Sequence, residues 1–337
     1  MNIDAIIVFG YLLLTLILGL YWGRGVKNIS DYALGGRNFS TSVLSTTIIA
    51  TYASASGFFV QISRSYDDGI YMLIGFVGQL IGILFFAYYV SRKMDRFVGK
   101  LSVAEMMGDL YGKNLRILSS LPIFLVSGGL VAVQIKVLSS TMAYFTNIND
   151  LLCIVITALV IIIYSAFGGV RAVTNTDYVQ FLTFAVAIPI IFLIVYSSLE
   201  LPNNQANKQD LIDHLFKLDQ QKFPHYAILF IYFVVPSFSP PIIQRMLMAK
   251  NTHQIYRSFE IAAITLFAMA TLSCIIGGMI HVSNPNLENK EVFGYLIDNY
   301  TYPGLKGLLL IGILALAMST ADSNLNAGAV SFSHDLC

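Results

Sequence analysis

Nine stretches of mostly apolar residues constrain this chain more than any other feature. A bilayer core takes one helix of about 20 such residues per crossing. The stretches lie near 4–22, 41–63, 69–91, 117–143, 150–167, 177–199, 225–248, 256–282 and 304–330. Runs such as IIVFGYLLLTLILGLYW and LLCIVITALVIIIY are continuous rather than alternating, which favours helices over barrel strands. Charged residues make up 12% of the 337 and hydrophobic ones 56%, with a mean hydropathy of +0.70. Soluble domains carry roughly 25% charged residues, so a water-soluble globule is excluded. Twenty basic residues against nineteen acidic ones leave no concentrated basic surface for nucleic acid. Three cysteines (Cys153, Cys274 and Cys337) are too few for a disulfide framework. The first run lacks a basic leader and a small-residue cleavage site, and so reads as a spanning helix rather than a signal peptide.

Basic residues set the direction of a multi-pass chain, because cytoplasmic loops accumulate them. With the N-terminus outside, thirteen fall on the inner side, among them Arg24, Lys27, Arg37, Arg171, Arg245 and Arg257. Six fall outside: Arg64, Lys208, Lys217, Lys222, Lys290 and Lys306. The expected arrangement is therefore N-terminus outside and C-terminus cytoplasmic, in a cell membrane. No soluble domain interrupts the spans. In the outer segment 210–218, Leu211, Ile212, Leu215 and Phe216 fall on one helical side; in 291–300, Phe293, Leu296, Ile297 and Tyr300 do the same. Both read as short helices resting at the headgroups. The second also reads as an outer lid over a solute path.

Three spans depart from the apolar pattern where departure is costly. The second, TTIIATYASASGFFVQ, is small and hydroxyl-rich in its middle. That composition fits a close packing seam or a discontinuous helix whose freed carbonyls coordinate an ion. The seventh contains Pro240 and Pro241, which remove two amide donors and obstruct the preceding turn. Taken alone they fit a kink or a break. Two interrupted helices five spans apart are what an inverted repeat of five helices predicts, with solute held between the breaks. In the ninth, Ser319, Asp322, Ser323 and Asn326 fall at i, i+3, i+4 and i+7, forming one polar stripe. Asp322 alone would cost roughly 2.5–3.5 kcal/mol against lipid, so the stripe must face the bundle or a wet cavity. Hydroxyl and carbonyl oxygens suit a hard monovalent cation, and no His/Cys cluster points to a transition metal.

These residues resemble the sodium:solute symporter family. DYALGGRN (31–38) matches its inner loop before the first core helix, and YASASG (52–57) its unwound first core helix. AFGGVRAVTNTDYVQ (166–180) matches its GG-x-x-AV-x-x-TD-x-x-Q stretch. SPPIIQRMLMAK matches its sixth core helix, and AMSTADSNLNAGAVSFSHDL its eighth. The resemblance implies an all-α, polytopic membrane protein with a LeuT-like inverted-repeat fold and one extra N-terminal helix. Residues 1–40 would form that helix and its loop, 41–199 the first five-helix repeat, 200–224 an outer loop, and 225–337 three helices of the second repeat, all within one transmembrane domain. Core helices nine and ten have no counterpart in 1–337, so the second repeat reads as incomplete.

The implied function is sodium-coupled symport of a small polar organic solute by alternating access. There would be no cofactor besides sodium as coupling ion, and the partners would be the solute, sodium and the lipid bilayer. The alternatives are a symporter-like sensor input domain and a transport-incompetent fragment. No nucleophile–base pair, phosphate loop or metal motif points to an enzyme. Carried over by motif, sodium binds backbone carbonyls of Tyr52, Ala55 and Leu316 and the hydroxyls of Ser319 and Thr320. Asp177 matches a carboxylate on the sodium exit path, and also reads as a helix-start residue. Ser56 and Gly57 match the break; Phe58, Ser239 and Pro240 fall where solute contacts are expected. Proline symporters carry Asp and Trp where this chain has Ser54 and Phe58, which argues against proline as the solute. Lys136 lies mid-span on the helix matching core three, where it pairs with Asp322, binds a solute carboxylate or snorkels to an edge.

Overall fold

The computed structural model describes residues 3–146, 148–200, 204–217 and 219–337. Six helical stretches among them are long and apolar enough to cross a membrane. The protein is a multi-pass membrane protein.

The chain opens with α1 (Ile3–Trp22) and the short α2 (Ile29–Leu34). On α1 the exposed residues include Leu13, Ile17 and Tyr21, while Asp4, Thr15 and Gly19 are among the buried ones. That inversion suits a helix with lipid outside and protein inside. The second apolar run becomes two helices, α3 (Thr41–Tyr52) and α4 (Ala55–Asp68). The third is α5 (Leu73–Phe85), carried by a wide π-turn (Phe86–Val90) into α6 (Ser91–Lys93). An amphipathic helix, α7 (Val103–Tyr111), precedes the long α8 (Lys113–Thr146).

The fifth and sixth expected spans are two helices that meet at the non-helical Gly169 (φ 53°, ψ −152°), together α9 (Asp150–Ser198). The second begins earlier than expected, so 170–176 is helix rather than loop. A straight helix of 49 residues would be roughly 74 Å long, more than twice a bilayer core, so the turn at Gly169 is what redirects the chain. No side chain fits there, because a Cβ on Gly169 would lie 2.7 Å from the Tyr32 carbonyl oxygen.

The loop after α9 holds α10 (Gln205–Leu215), with Leu211 and Leu215 buried but Ile212 and Phe216 exposed. The expected single apolar side is therefore split. The seventh run is again two helices, α11 (Phe223–Val234) and α12 (Pro240–Leu247), followed by α13 (Thr252–Ser283). The predicted amphipathic helix at 291–300 is α14 (Val292–Tyr300), which buries Leu296 and Ile297 and sets Phe293 edge-on to Phe59 of α4, centroids 4.1 Å apart. Last comes α15 (Leu305–Val330), ending in a π-turn.

α15 is the centre of the bundle, packed on α8, α9 and α1. Its first turn is held by Asp4 of α1, whose carboxylate accepts the Gly304 and Gly307 N–H groups at 2.8 and 2.7 Å. A carboxylate there satisfies donors that a helix start leaves open. The GGR motif has an equally local reason. Gly35 and Gly36 take left-handed backbone angles, and Arg171 donates to the Gly35 carbonyl at 3.0 Å. Arg37 is thereby aimed at the carbonyls of Ala249 and Lys250, just beyond α12.

Candidate functional site

Both suspect spans are broken rather than kinked. Between α3 and α4, Ala53 and Ser54 are extended, and the Ser54 hydroxyl accepts the Gly57 N–H at 3.1 Å, capping α4. The last carbonyls of α3 therefore lose their helical donors at membrane depth. Between α11 and α12 the chain is extended at Val235 and Ser239, and Pro240 and Pro241 open the new helix. The prolines thus start a helix, where their missing N–H groups cost nothing.

The polar stripe of α15 faces these breaks. Ser319, Asp322, Ser323 and Asn326 are all fully buried, and each is claimed by a different side chain. Ser319 donates to Asp177 at 2.5 Å, and Tyr164 donates to Asp322 at 2.6 Å. Arg245 donates to Ser323 at 2.6 Å, and Gln244 to the Asn326 carbonyl oxygen at 2.8 Å. The neighbouring Thr320 hydroxyl lies 3.3 Å from the Ala53 carbonyl oxygen and 3.1 Å from that of Leu316. Helix α15 is therefore stitched to the first break by one hydroxyl and to α9 by the next.

Asp177 is the hub. Fully buried in the interior of α9, it accepts hydrogen bonds from Thr47 and Ser319 and an ion pair from Arg245 at 3.2 Å. It does not start a helix, so that alternative is excluded. Several buried polar atoms around it have no partner among the described residues, including Asp322 Oδ1, Arg245 Nε and both amide atoms of Gln180. The donor set at the break is all oxygen: the Ala53 and Leu316 carbonyls and the Thr320 and Ser319 hydroxyls. Such hard ligands fit an alkali cation and not a soft metal.

Next to the break is a cavity of about 230 Å³ whose lining includes Tyr52, Phe58, Gln61, Gln79, Phe233 and Leu316. Gly57 borders it too; the side chain of Ser56 lies outside the described residues. Ser239 borders an adjoining cavity of about 610 Å³ that shares Tyr52, Gln79 and Phe233. Pro240 instead borders a small space lined by Leu101, Ser102 and Val103. Ala55 is buried in the first turn of α4, and Ala53, absent from the expected set, is the break residue that meets Thr320.

Lys136 is not brought to the site. Its side chain is 62% exposed and bonds Asp150 at the start of α9 at 2.6 Å, so neither a solute contact nor a pair with Asp322 forms. Besides Ala53, the residues that escaped the sequence reading include Thr47, Gln61, Gln79, Tyr164, Gln244 and Arg245. Gln79 had a visible signal, a lone amide within LIGFVGQLIGILF. Arg245 was counted as a loop charge, although it is fully buried.

Two broken helices, crossed by a polar helix at membrane depth, define a transporter of the inverted-repeat class. The sequence profile of the sodium:solute symporter family matches residues 32–337, and the chain belongs to that family. It is similar to the sodium/sialic acid symporter NanT of Aliivibrio fischeri, 23% identical over 99% of this chain and 70% of that one. It is similar also to the high-affinity proline transporter PutP of Bacillus subtilis, 24% identical over 95% and 71%. Among solved structures, a Na+-coupled sialic acid symporter in a substrate-bound outward-open state superposes with a TM-score of 0.82 at 22% identity. It covers all of this chain and 74% of its own. The fold is the LeuT-like one, and the function is sodium-coupled transport of a small polar solute.

Proposed function

We propose that sodium binds where α15 meets the first break, held by backbone carbonyls at 52–55 and of Leu316 and by the hydroxyls of Ser319 and Thr320. The observation that carries this reading is the Thr320 hydroxyl, 3.3 Å from the Ala53 carbonyl and 3.1 Å from the Leu316 carbonyl. Each hydroxyl keeps oxygen lone pairs for a cation while its own proton goes elsewhere. Sodium supplies the charge that gathers these oxygens. The residues supply the arrangement, and Asp177, bonded to Ser319, provides negative charge on the path from the site.

The cavity lined by Phe58, Gln61 and Gln79 takes the solute. Because Tyr52 and Leu316 belong to both its wall and the sodium site, each occupant stabilises the arrangement the other needs, which is a coupling free energy rather than covalent chemistry. The chain acts as a transporter and not as an enzyme. It sits with its N-terminus outside and its C-terminus cytoplasmic, as the excess of basic residues on the inner side supports.

Sodium binding to the purified full chain, followed by titration calorimetry, tests the site. The Ser319→Ala/Thr320→Ala double variant is expected to lose at least about tenfold in sodium affinity, the equivalent of one strong oxygen contact. Unchanged affinity would rule out the assigned ligands.

A further inference from the structure

The side of α5 and α6 that faces away from the bundle carries an ordered row of side chains. Between Leu73 and Lys93, exposed residues recur at every fourth position: Val77, Ile81, Phe85, Tyr89 and Lys93. Tyr88 and Arg92 widen the row at its end. The row passes from aliphatic through aromatic to cationic, the order in which a leaflet passes from hydrocarbon through the interface to the headgroups. From Val77 to Lys93 the helical rise is about 24 Å, against about 20–22 Å for one leaflet with its headgroup layer.

A four-residue repeat drifts about 40° per step round an α-helix. The π-turn at Phe86–Val90 takes more residues per revolution and so turns the last steps back. The row therefore stays on one side, and its last members remain in register. Phe85 and Tyr89 stack with centroids 5.0 Å apart, and the Lys93 ammonium stands 5.9 Å over the Tyr89 ring.

Charge at the end of the row is positive. The segment SRKMDRFVGK (91–100) holds four cations and one carboxylate, Asp95. Lys100 is paired with Asp109 and Glu105. Arg92, Lys93 and Arg96 are exposed, Arg96 lying 4.6 Å over the Phe97 ring. Glu260, which Tyr88 meets at 3.2 Å, is paired with Arg257. A second helix would want small residues on such a face. Helix α5 uses its glycines on another side: a Cβ on Gly78 would lie 2.6 Å from the Phe230 carbonyl oxygen, and one on Gly82 3.1 Å from that of Val234, which is where α11 packs.

We infer that the exposed side of α5 and α6 binds an anionic phospholipid. Its acyl chain lies along Val77, Ile81 and Phe85, its ester region against Tyr88 and Tyr89, and its phosphate on Lys93 with Arg92 and Arg96 beside it. The lipid braces the α5–α11 pair, which leads to the second break.

Native mass spectrometry of the purified full chain in neutral detergent, titrated with dioleoylphosphatidylglycerol or dioleoylphosphatidylcholine, tests the ridge. The first phosphatidylglycerol is expected to bind at least about tenfold more tightly than phosphatidylcholine. The Arg92→Gln/Lys93→Gln/Arg96→Gln variant should lose that preference. The Lys208→Gln/Lys217→Gln/Lys290→Gln variant, which removes the same charge beyond the other end of α5, should keep it. Glycerol 3-phosphate should not displace the lipid. Equal binding of the two lipids by the parent overturns the inference, as does a preference that survives the first variant or is lost equally in the second. Displacement by glycerol 3-phosphate, or a dimer that the first variant dissociates in place of a lipid effect, overturns it too.

Discussion

Arg245 of α12 and Asp177 of α9 are both fully buried and meet at 3.2 Å, 68 residues apart in sequence. The pair joins the helix after the second break to the helix that meets the Ser319 hydroxyl. Its guanidinium also bonds Ser323, so one side chain spans three elements.

Removing one partner of a buried ion pair leaves the other without a counter-charge. Arg245→Met is expected to destabilise the protein by about 3–5 kcal/mol in denaturant unfolding in micelles. Adding Asp177→Asn should cost less than the sum of the single changes, because the orphaned carboxylate is then gone. Strict additivity would show that the contact carries no coupling.

Gly169 has backbone angles that only glycine adopts without strain, and its missing Cβ makes room for the Tyr32 carbonyl. Gly169→Ala should lower stability by at least about 1–3 kcal/mol. Gly10→Ala, where a Cβ meets nothing within 4 Å, should stay within about 0.5 kcal/mol of the parent. Thermal unfolding of the two variants side by side checks the contrast.

The loop helix α10 carries His214, whose ring stacks on His281 at 3.7 Å between centroids. Burial, and then the neighbouring His281 ring, hold His214 below its ordinary value of 6.5. The folded state thus disfavours the proton. The stability linked to this group is present above the ordinary histidine value and is lost as pH falls through the depressed one. Protection factors over 205–215, taken relative to the intrinsic exchange rate at each pH, should fall on acidification, and His214→Phe should flatten that response. Protection factors in the parent that do not change with pH would show that the stack has no such effect.

Much of the site was readable because cost leaves a mark in composition. The prolines at 240–241, the small hydroxyl-rich stretch at 51–57 and the stripe from Ser319 to Asn326 are each expensive in lipid, and each lies where the structure breaks or buries polar atoms. Partners were not readable. Lys136 and Arg245 are both cations within or beside apolar runs, yet one bonds Asp150 at the bundle's exposed side and the other is enclosed against Asp177. Nothing in the residues flanking either one distinguishes these fates.

The sequence by itself determined the apolar runs, the two interruptions and the polar face of the last helix. These follow from local chemistry: hydrocarbon length, missing amide donors and helical periodicity. Only the tertiary structure decided that two helices meet directly at Gly169, that Ala53 is the carbonyl meeting Thr320, and that Gln79 lines the cavity beside the break. Each depends on which faces of distant helices come together, and the pairing energy of buried polar groups is a property of two elements at once.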